Sequence, residues 1–246
     1  MNNNVVIIIP FFNEENRILV NEYTVFLNEY TFYDFLFVND ASTDNTLNIL
    51  KNFEDKHTNV KVLSLDKNSG KAAAIQFGVT HLKQKDYAYI CYVDADLATP
   101  IKELHNLIIF AKQNTHLDIV MGTRIKLLGN QVQRSLIRHY LGRIAATIIS
   151  SFILKFAVYD TQCGAKVFKS EVAKKLFNKP FITKWLFDVE LLLRYKKVNL
   201  NFKNTIQEIP LYQWTEKGKS KITLLEFLSF PLQLFKIYWH YVAKNN

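Results

Sequence analysis

Cysteine is nearly absent from this sequence, since Cys91 and Cys163 are the only two in 246 residues. A chain of this length with 49% apolar residues can bury a substantial core without covalent cross-links. We therefore expect free thiols, a reducing compartment, and one large domain with an appendage. The same scarcity argues against a zinc site.

Long hydrophobic runs are also absent. No uninterrupted apolar run reaches the roughly 20 residues that a membrane-spanning helix needs, so no such helix is expected. The run in "MNNNVVIIIP" is too short for a signal peptide and no basic leader precedes it. It predicts a buried first strand and gives no indication of secretion.

Acidic residues are in deficit. The 22 Asp and Glu residues stand against 31 Lys and Arg, which gives a formal net charge of +9. A field of this sign attracts phosphate in any form, from nucleic acids and nucleotides to anionic lipids. Charge is the only feature that favours nucleic acid, so we expect no nucleic-acid partner.

Short apolar, β-branched or aromatic runs dominate the first 125 residues and alternate with segments of helical spacing. The runs are "VVIIIP", "DFLFVND", "VKVLSL", "YAYICYVDAD" and "LDIVMGTR". Such alternation predicts βαβ units and a mostly parallel sheet covered by helices on both faces. Ligands bind such sheets at the carboxyl ends of the strands.

Polar side chains follow each of these runs. They are Asn13 and Glu14, Asn39 and Asp40, Asp66 to Lys71, Asp94 and Asp96, and Arg124. Taken singly, each fits a turn former or a helix cap as well as a ligand-binding residue. Because all of them would meet at one edge of the sheet, the set together predicts a binding site.

Three of these segments suggest particular chemistry. Asp94 and Asp96 lie two residues apart after a strand, so both carboxylates can face one divalent cation, which would bridge a diphosphate. In "NSGKAAA", Gly70 permits a close approach and Lys71 begins a helix, where phosphate can meet backbone N–H groups. That spacing does not fit GxxxxGK[ST] and argues against an ATPase. Asp40 is an acceptor suited to the N–H groups of a nucleotide base.

Two later segments are amphipathic. Residues 134–156 carry apolar side chains at helical spacing with a basic flank, which predicts one helix. Residues 222–242 are apolar and aromatic, and Pro231 would split them into two short helices. Packing into the core and lying in a membrane interface both remain open for these segments.

The order of the motifs "PFFNEE", "VNDASTDNT", "NSGKAAA" and "DADLATP" resembles the inverting glycosyltransferases of family 2. Within that family, "GTR", "DTQCGAKVF", "WLFDVELL" and "GKSK" look like the polyprenyl-phosphate glycosyltransferases, particularly dolichyl-phosphate β-glucosyltransferase and its bacterial undecaprenyl-phosphate counterparts. The resemblance covers about residues 5–222. It departs from the family at Asn39, where Asp is frequent, and at Ala165, where an aromatic residue is common.

The resemblance implies a fold and a donor site. The fold would be the GT-A nucleotide-sugar-binding fold, a Rossmann-like, mostly parallel sheet between helices, over residues 1–221, with membrane-interface helices and an appendage at 222–246. Asp94 and Asp96 would hold Mg²⁺ or Mn²⁺ on the diphosphate. The nucleotide-sugar pocket would be lined by Pro10, Asn13, Glu14, Asp40, Lys71, Asp94 and Ala95.

The resemblance also implies an acceptor site. The acceptor phosphate would be met by Arg124, Arg134, Arg138, Thr161, Gln162, Lys166, Lys219 and Ser220. The catalytic set would be Asp96, Arg124, Asp160 and Asp188. An acceptor phosphate is already ionised, so Asp160 is expected to orient other groups, with a role as proton acceptor left open.

The expected reaction is inverting transfer of a hexose, first glucose from UDP-glucose, to a polyprenyl phosphate on the cytoplasmic membrane face. GDP-mannose as donor, or a polysaccharide or protein hydroxyl as acceptor, remain alternatives. A non-catalytic nucleotide- or lipid-binding module is a third, which the paired Asp94 and Asp96 argue against. A membrane-anchoring partner or a homo-oligomer is also left open.

Overall fold

A computed structural model describes residues 4–133, 136–217 and 229–243. Its strands are β1 (Val5–Phe11), β2 (Asp34–Asn39), β3 (Val60–Ser64), β4 (Tyr89–Tyr92), β5 (Ile119–Thr123), β6 (Gln131–Gln133), β7 (Lys166–Lys169), β8 (Ile206–Pro210) and β9 (Gln213–Thr215). Its α-helices are α1 (Val20–Glu29), α2 (Thr46–Lys56), α3 (Lys71–His81), α4 (Ile101–Gln113), α5 (Leu136–Ile148), α6 (Ser170–Leu176), α7 (Phe187–Val198) and α8 (Phe230–Ile237). Residues Ile149–Leu154 and Tyr238–Val242 form π-helical turns, and Phe202–Asn204 form a 3-10 turn.

Seven of the described strands form one sheet, in the order β3-β2-β1-β4-β7-β5-β8. The first four of these are parallel to one another, and β5 is parallel to β8. Strand β7 runs antiparallel to both of its neighbours, β4 and β5. All five predicted apolar runs form strands, and the predicted α/β fold with a mostly parallel sheet is confirmed.

Strand β1 is apolar at every position, and the packing of the sheet explains why. Val5, Ile7 and Ile9 face one buried cluster, which includes residues of α1, α2 and α4. Val6 and Ile8 face a second cluster, built with α3, α6 and α7. Because helices cover both faces of the sheet, both sets of alternate side chains are removed from water.

The predicted helix over residues 134–156 is present as α5 and the π-helical turn that follows it. The turn buries Ile149, Ile153 and Leu154 in the core. The opposite side exposes large apolar side chains to solvent, namely Tyr140, Ile144, Ile148 and Phe152. Core packing therefore accounts for one side of this segment and leaves the other uncovered.

The second amphipathic segment is described from residue 229 onward, and its first part, 222–228, lies outside the described residues. Pro231 lies in the first turn of α8, where its missing N–H costs no helical hydrogen bond. Ile237 and Val242 are buried against the main body, whereas the exposed apolar side chains are Leu232, Phe235, Tyr238 and Trp239. Within the described ranges, no helix is both long enough and apolar enough to cross a membrane.

Candidate active site

The loops that follow β1, β2 and β4 share an unusual backbone conformation. Asn13, Ala41 and Leu97 have φ angles of 48°, 54° and 52°, in the left-handed region that non-glycine residues rarely adopt. Side chains hold the first two loops together, because Asn13 N donates to Ser42 Oγ at 3.0 Å and Thr43 N donates to Asn13 Oδ1 at 2.8 Å. Strained backbone of this kind concentrates at functional sites.

The acidic pair after β4 lies at the same edge, and each carboxylate has its own basic partner. Lys71 forms an ion pair with Asp94. The Arg17 guanidinium lies 3.1 Å from Asp96 Oδ2, and the other oxygen of Asp96 accepts the N–H of Ala98 at 3.0 Å. Burial alone would raise the pKa of Asp94, but the neighbouring Lys71 ammonium holds it below its ordinary value.

The chemistry of this pair suits a divalent cation. Burial raises the pKa of Asp96, and the negative charge of Asp94 raises it further because the two carboxylates repel each other. A cation bound between them would relieve that repulsion. Within the described residues, no three His, Cys, Asp or Glu side chains form a metal site of their own. Mg²⁺ or Mn²⁺ would therefore need oxygens from a bound phosphate as well, which is how Mg²⁺ commonly binds.

The segment "DTQCGAK", residues 160–166, passes directly against Asp94. A Cβ atom added to Gly164 would lie 1.9 Å from Asp94 Oδ2, so no other residue fits without displacing one of the two. The neighbouring Cys163 is buried with a free thiol. Burial raises its pKa to about 11, which keeps the thiol neutral near pH 7, and Cys163 serves as a small packing residue.

Lys166 was predicted to meet the acceptor phosphate, but its side chain is only 1% exposed. Its ammonium donates to Thr161 O at 2.9 Å, Cys163 O at 2.6 Å and Asp188 Oδ1 at 2.7 Å. An ammonium has three donors and all three are used inside the protein, so Lys166 does not face an acceptor phosphate. It holds the "DTQCGAK" loop from within.

Asp188 lies on α7 and is the buried partner of Lys166. The same oxygen, Oδ1, also accepts a hydrogen bond from the hydroxyl of Tyr92 on β4. Asp188 thus joins α7, β4 and the loop before β7. A catalytic role for it stays a prediction.

Arg124, directly after β5, forms a bidentate ion pair with Asp160. Its Nε and Nη2 atoms each lie 2.7 Å from a carboxylate oxygen, and its backbone N–H donates to the same group at 3.0 Å. The backbone N–H groups of Tyr159 and Asp160 both donate to Glu208, which fixes the loop. The ring of Trp214 lies 5.4 Å from the guanidinium carbon. Asp160 therefore orients Arg124 at the strand edge.

Asp40 is also engaged by backbone groups. Its two carboxylate oxygens accept the N–H groups of Ser69 at 2.8 Å and Gly70 at 2.7 Å. This contact shapes the turn before α3, where Gly70 has a φ of 89°. Burial raises the pKa of Asp40 above its ordinary value. A contact between Asp40 and a nucleotide base stays a prediction.

The remaining predicted residues occupy varied positions. Pro10 is in β1, Asn13 and Glu14 follow it, and the carbonyl of Ala95 accepts the hydroxyl of Tyr23 at 2.7 Å. Thr161 is buried, and the buried Nε2 of Gln162 has no hydrogen-bond partner among the described residues. Arg138 lies in α5 without a described side chain, and three predicted residues lie outside the described ranges: Arg134, Lys219 and Ser220.

Four residues of this edge were not predicted from the sequence: Arg17, Tyr23, Tyr92 and Glu208. Arg17 had a weak signal, because it lies three residues after Glu14 in the polar segment "NEENR". The others contact residues at least 48 positions away in the chain, which local spacing cannot reveal.

We predict that Gly164→Ala lowers the free energy of unfolding by about 1–3 kcal/mol, because the new methyl group collides with the Asp94 carboxylate. Urea denaturation of Gly164→Ala, Asp94→Ala and the double variant would measure the coupling. In the Asp94→Ala background the colliding oxygens are gone, so the glycine substitution should cost clearly less. An equal cost in both backgrounds would contradict the contact.

Known proteins resemble this chain in fold as well as in sequence. A glucosyl-3-phosphoglycerate synthase of Mycobacterium tuberculosis, solved with Mn²⁺, UDP and glucosyl-3-phosphoglycerate, superimposes with a TM-score of 0.72 over 98% of this chain and 81% of its own, at 14% identity. The same enzyme solved with Mg²⁺ and UDP gives a TM-score of 0.71 at 14% identity, covering 98% of this chain and 80% of its own. At this identity the likeness shows the fold alone.

Closer relatives are found by sequence. A dolichyl-phosphate β-glucosyltransferase of Trichomonas vaginalis is 32% identical over 94% of this chain and 69% of its own length. Those of Dictyostelium discoideum and Homo sapiens are 30% and 31% identical, each over 88% of this chain and 68% of their own lengths. The model of the glycosyl transferase family 2 domain matches residues 6–177. With this match over more than half its length, the chain belongs to glycosyltransferase family 2 and is a glycosyltransferase.

Proposed function

We propose that the enzyme transfers glucose from UDP-glucose to a polyprenyl phosphate of the dolichyl or undecaprenyl type, with inversion at the anomeric carbon. Its relatives named above are dolichyl-phosphate β-glucosyltransferases, which supports both the sugar and the class of acceptor. The strongest structural support for a phosphate acceptor is that both candidate bases, Asp160 and Asp188, are paired with cations.

Asp160 and Asp188 are the two carboxylates that could take a proton from an acceptor hydroxyl. Asp160 is paired with Arg124 and Asp188 with Lys166, at 2.7 Å in each case. Both carboxylates are buried and each is held by its cation, so neither is placed to receive a proton from an acceptor hydroxyl. A hydroxyl acceptor would need such a base, whereas a phosphate acceptor is already an anion at neutral pH. This arrangement favours the phosphate.

The donor half of the mechanism depends on the residues after β1, β2 and β4. Asp94 and Asp96 would hold Mg²⁺ or Mn²⁺ together with the diphosphate of the donor, and the ion when bound supplies Lewis-acid stabilisation of the leaving diphosphate. Lys71 begins α3 beside Asp94, where its ammonium can meet the same phosphates. The pocket walls would be Pro10, Asn13, Glu14, Asp40 and Ala95.

The acceptor half depends on charge held at a fixed position. Asp160 and Trp214 fix the Arg124 guanidinium, so it can align an anionic acceptor without first being ordered. The Gln162 amide can donate a further hydrogen bond. In this proposal Arg134, Arg138, Thr161, Lys219 and Ser220 complete the phosphate site. No residue of the chain has to accept a proton during transfer.

A lipid acceptor requires the enzyme to meet a membrane, and two exposed surfaces support that. Phe152 on the α5 side is 67% exposed, and Phe235 and Trp239 on the α8 side are 61% and 55% exposed. Basic residues accompany them, with Arg143 beside Tyr159 and Lys155 at the end of the π-helical turn. Aromatic rings and cationic side chains of this kind favour a membrane interface. We place the enzyme on the cytoplasmic face.

The reaction itself is tested by offering radiolabelled UDP-glucose, UDP-galactose, UDP-N-acetylglucosamine and GDP-mannose with undecaprenyl phosphate. We expect labelled lipid from UDP-glucose with Mg²⁺ or Mn²⁺ and none with EDTA. Without a divalent cation, the negative charge of the leaving diphosphate would face the two carboxylates without compensation. If GDP-mannose were the only donor to give product, it would replace UDP-glucose as the proposed donor. Donor binding without any lipid product would overturn the proposal that the acceptor is a polyprenyl phosphate.

Membrane binding is tested with a triple variant, Phe152→Ser, Phe235→Ser and Trp239→Ser. Removing three large apolar side chains should weaken sedimentation with anionic liposomes at least about tenfold. The matched control is the double variant Phe32→Ser and Leu200→Ser, whose side chains are 50% and 98% exposed near the amino-terminal ends of β2 and β8. Equal liposome binding by the triple variant and the parent protein would contradict the proposal that these side chains bind the membrane.

A further inference from the structure

Arg17 joins three separate parts of the active site. It lies between β1 and α1, and its Nη2 atom is 3.1 Å from Asp96 Oδ2. The same nitrogen donates to the carbonyl of Lys217 at 3.1 Å, and Nε lies 3.5 Å from Glu14 Oε2. A guanidinium is planar and permanently charged, so it can serve several acceptors at once.

The contact with Asp96 occupies Oδ2, the carboxylate oxygen that the backbone turn of Asp96 does not use. Asp96 Oδ1 already accepts the N–H of Ala98, which leaves Oδ2 as the oxygen directed away from its own backbone turn. Arg17 covers that oxygen, as the Lys71 ammonium covers Asp94 Oδ1. Both carboxylates of the pair are therefore neutralised by side chains of the chain itself.

We propose that Arg17 is a positioning residue that acts as the internal counter-ion of Asp96 and gives way when a divalent cation binds together with a nucleoside diphosphate. The inference rests on the proposed function, because it assumes that Asp94 and Asp96 hold the metal. A metal ion alone has to compete with the guanidinium for Asp96 Oδ2. When the diphosphate is also present, the displaced guanidinium finds phosphate oxygens nearby, for which its fork of N–H groups is well suited.

This exchange makes metal and nucleotide bind cooperatively. Each ligand removes part of the cost of binding the other, and the coupling is reciprocal by thermodynamic linkage. Without Arg17 the competitor for the metal is gone, and so is a partner for the phosphate. Metal alone should then bind more tightly, while UDP should strengthen metal binding less.

The test measures Mn²⁺ binding from the electron paramagnetic resonance signal of free Mn²⁺, with and without UDP. For Arg17→Gln we expect Mn²⁺ alone to bind up to about fivefold more tightly than to the parent protein, the upper range for a partly exposed ion pair. The gain in Mn²⁺ affinity caused by UDP should shrink by a similar factor. Arg17→Lys, which keeps the charge, should stay near the parent protein.

Lys217→Gln is the matched control, because it removes a nearby positive charge that pairs with Glu22 at 3.1 Å and does not contact Asp96. Its Mn²⁺ affinity should match the parent protein. Unchanged or weaker Mn²⁺ binding by folded Arg17→Gln would overturn the counter-ion role. If Arg17→Gln does not fold, a loss of affinity in Arg17→Lys decides against the proposal in the same way. A parent protein that binds no Mn²⁺ even with UDP would instead overturn the proposed metal site, and this inference with it.

Discussion

The buried ammonium of Lys166 determines the shape of the "DTQCGAK" loop, because two backbone carbonyls of that loop and the Asp188 carboxylate surround it. A buried ammonium is stable only when its charge is paired and its donors are used. The loop therefore has little freedom to move away, and its Gly164 stays pressed against Asp94. Asp160 starts the same loop and holds Arg124. One internal charge thus connects the acidic pair proposed to bind the donor with the guanidinium proposed to bind the acceptor.

The distribution of charge supports the proposal that transfer needs no carboxylate base. Each acidic side chain considered for catalysis has a basic partner: Asp94 with Lys71, Asp96 with Arg17, Asp160 with Arg124 and Asp188 with Lys166. Two of these cations are at least 86% buried, since the Arg124 and Lys166 side chains are only 14% and 1% exposed. Charges held in this way stabilise anionic groups with little reorganisation, which suits transfer between a diphosphate and a phosphate.

Sequence patterns predicted the parts of the fold that depend on local periodicity. The five apolar strands and the edge where they end followed from the alternation of runs, and the spacing of Asp94 and Asp96 placed them together. Strand β7 was missed because its four residues, "KVFK", are too short to show a period and include two lysines. The burial of Lys166 was missed for a related reason, since lysine is normally exposed and its partner Asp188 is 22 residues away. Arg17 contacts Lys217 across 200 residues, which no local pattern reveals.

We propose that the active site is built for an acceptor that is already an anion. The direct measurement compares glucose transfer from UDP-glucose to undecaprenyl phosphate and to undecaprenol at equal concentrations. The two lipids differ in the phosphate alone, so membrane binding and donor binding are shared. We expect lipid-linked glucose from the phosphate and none from the alcohol. Transfer to the alcohol at a comparable rate would contradict it and would require a carboxylate to act as a base.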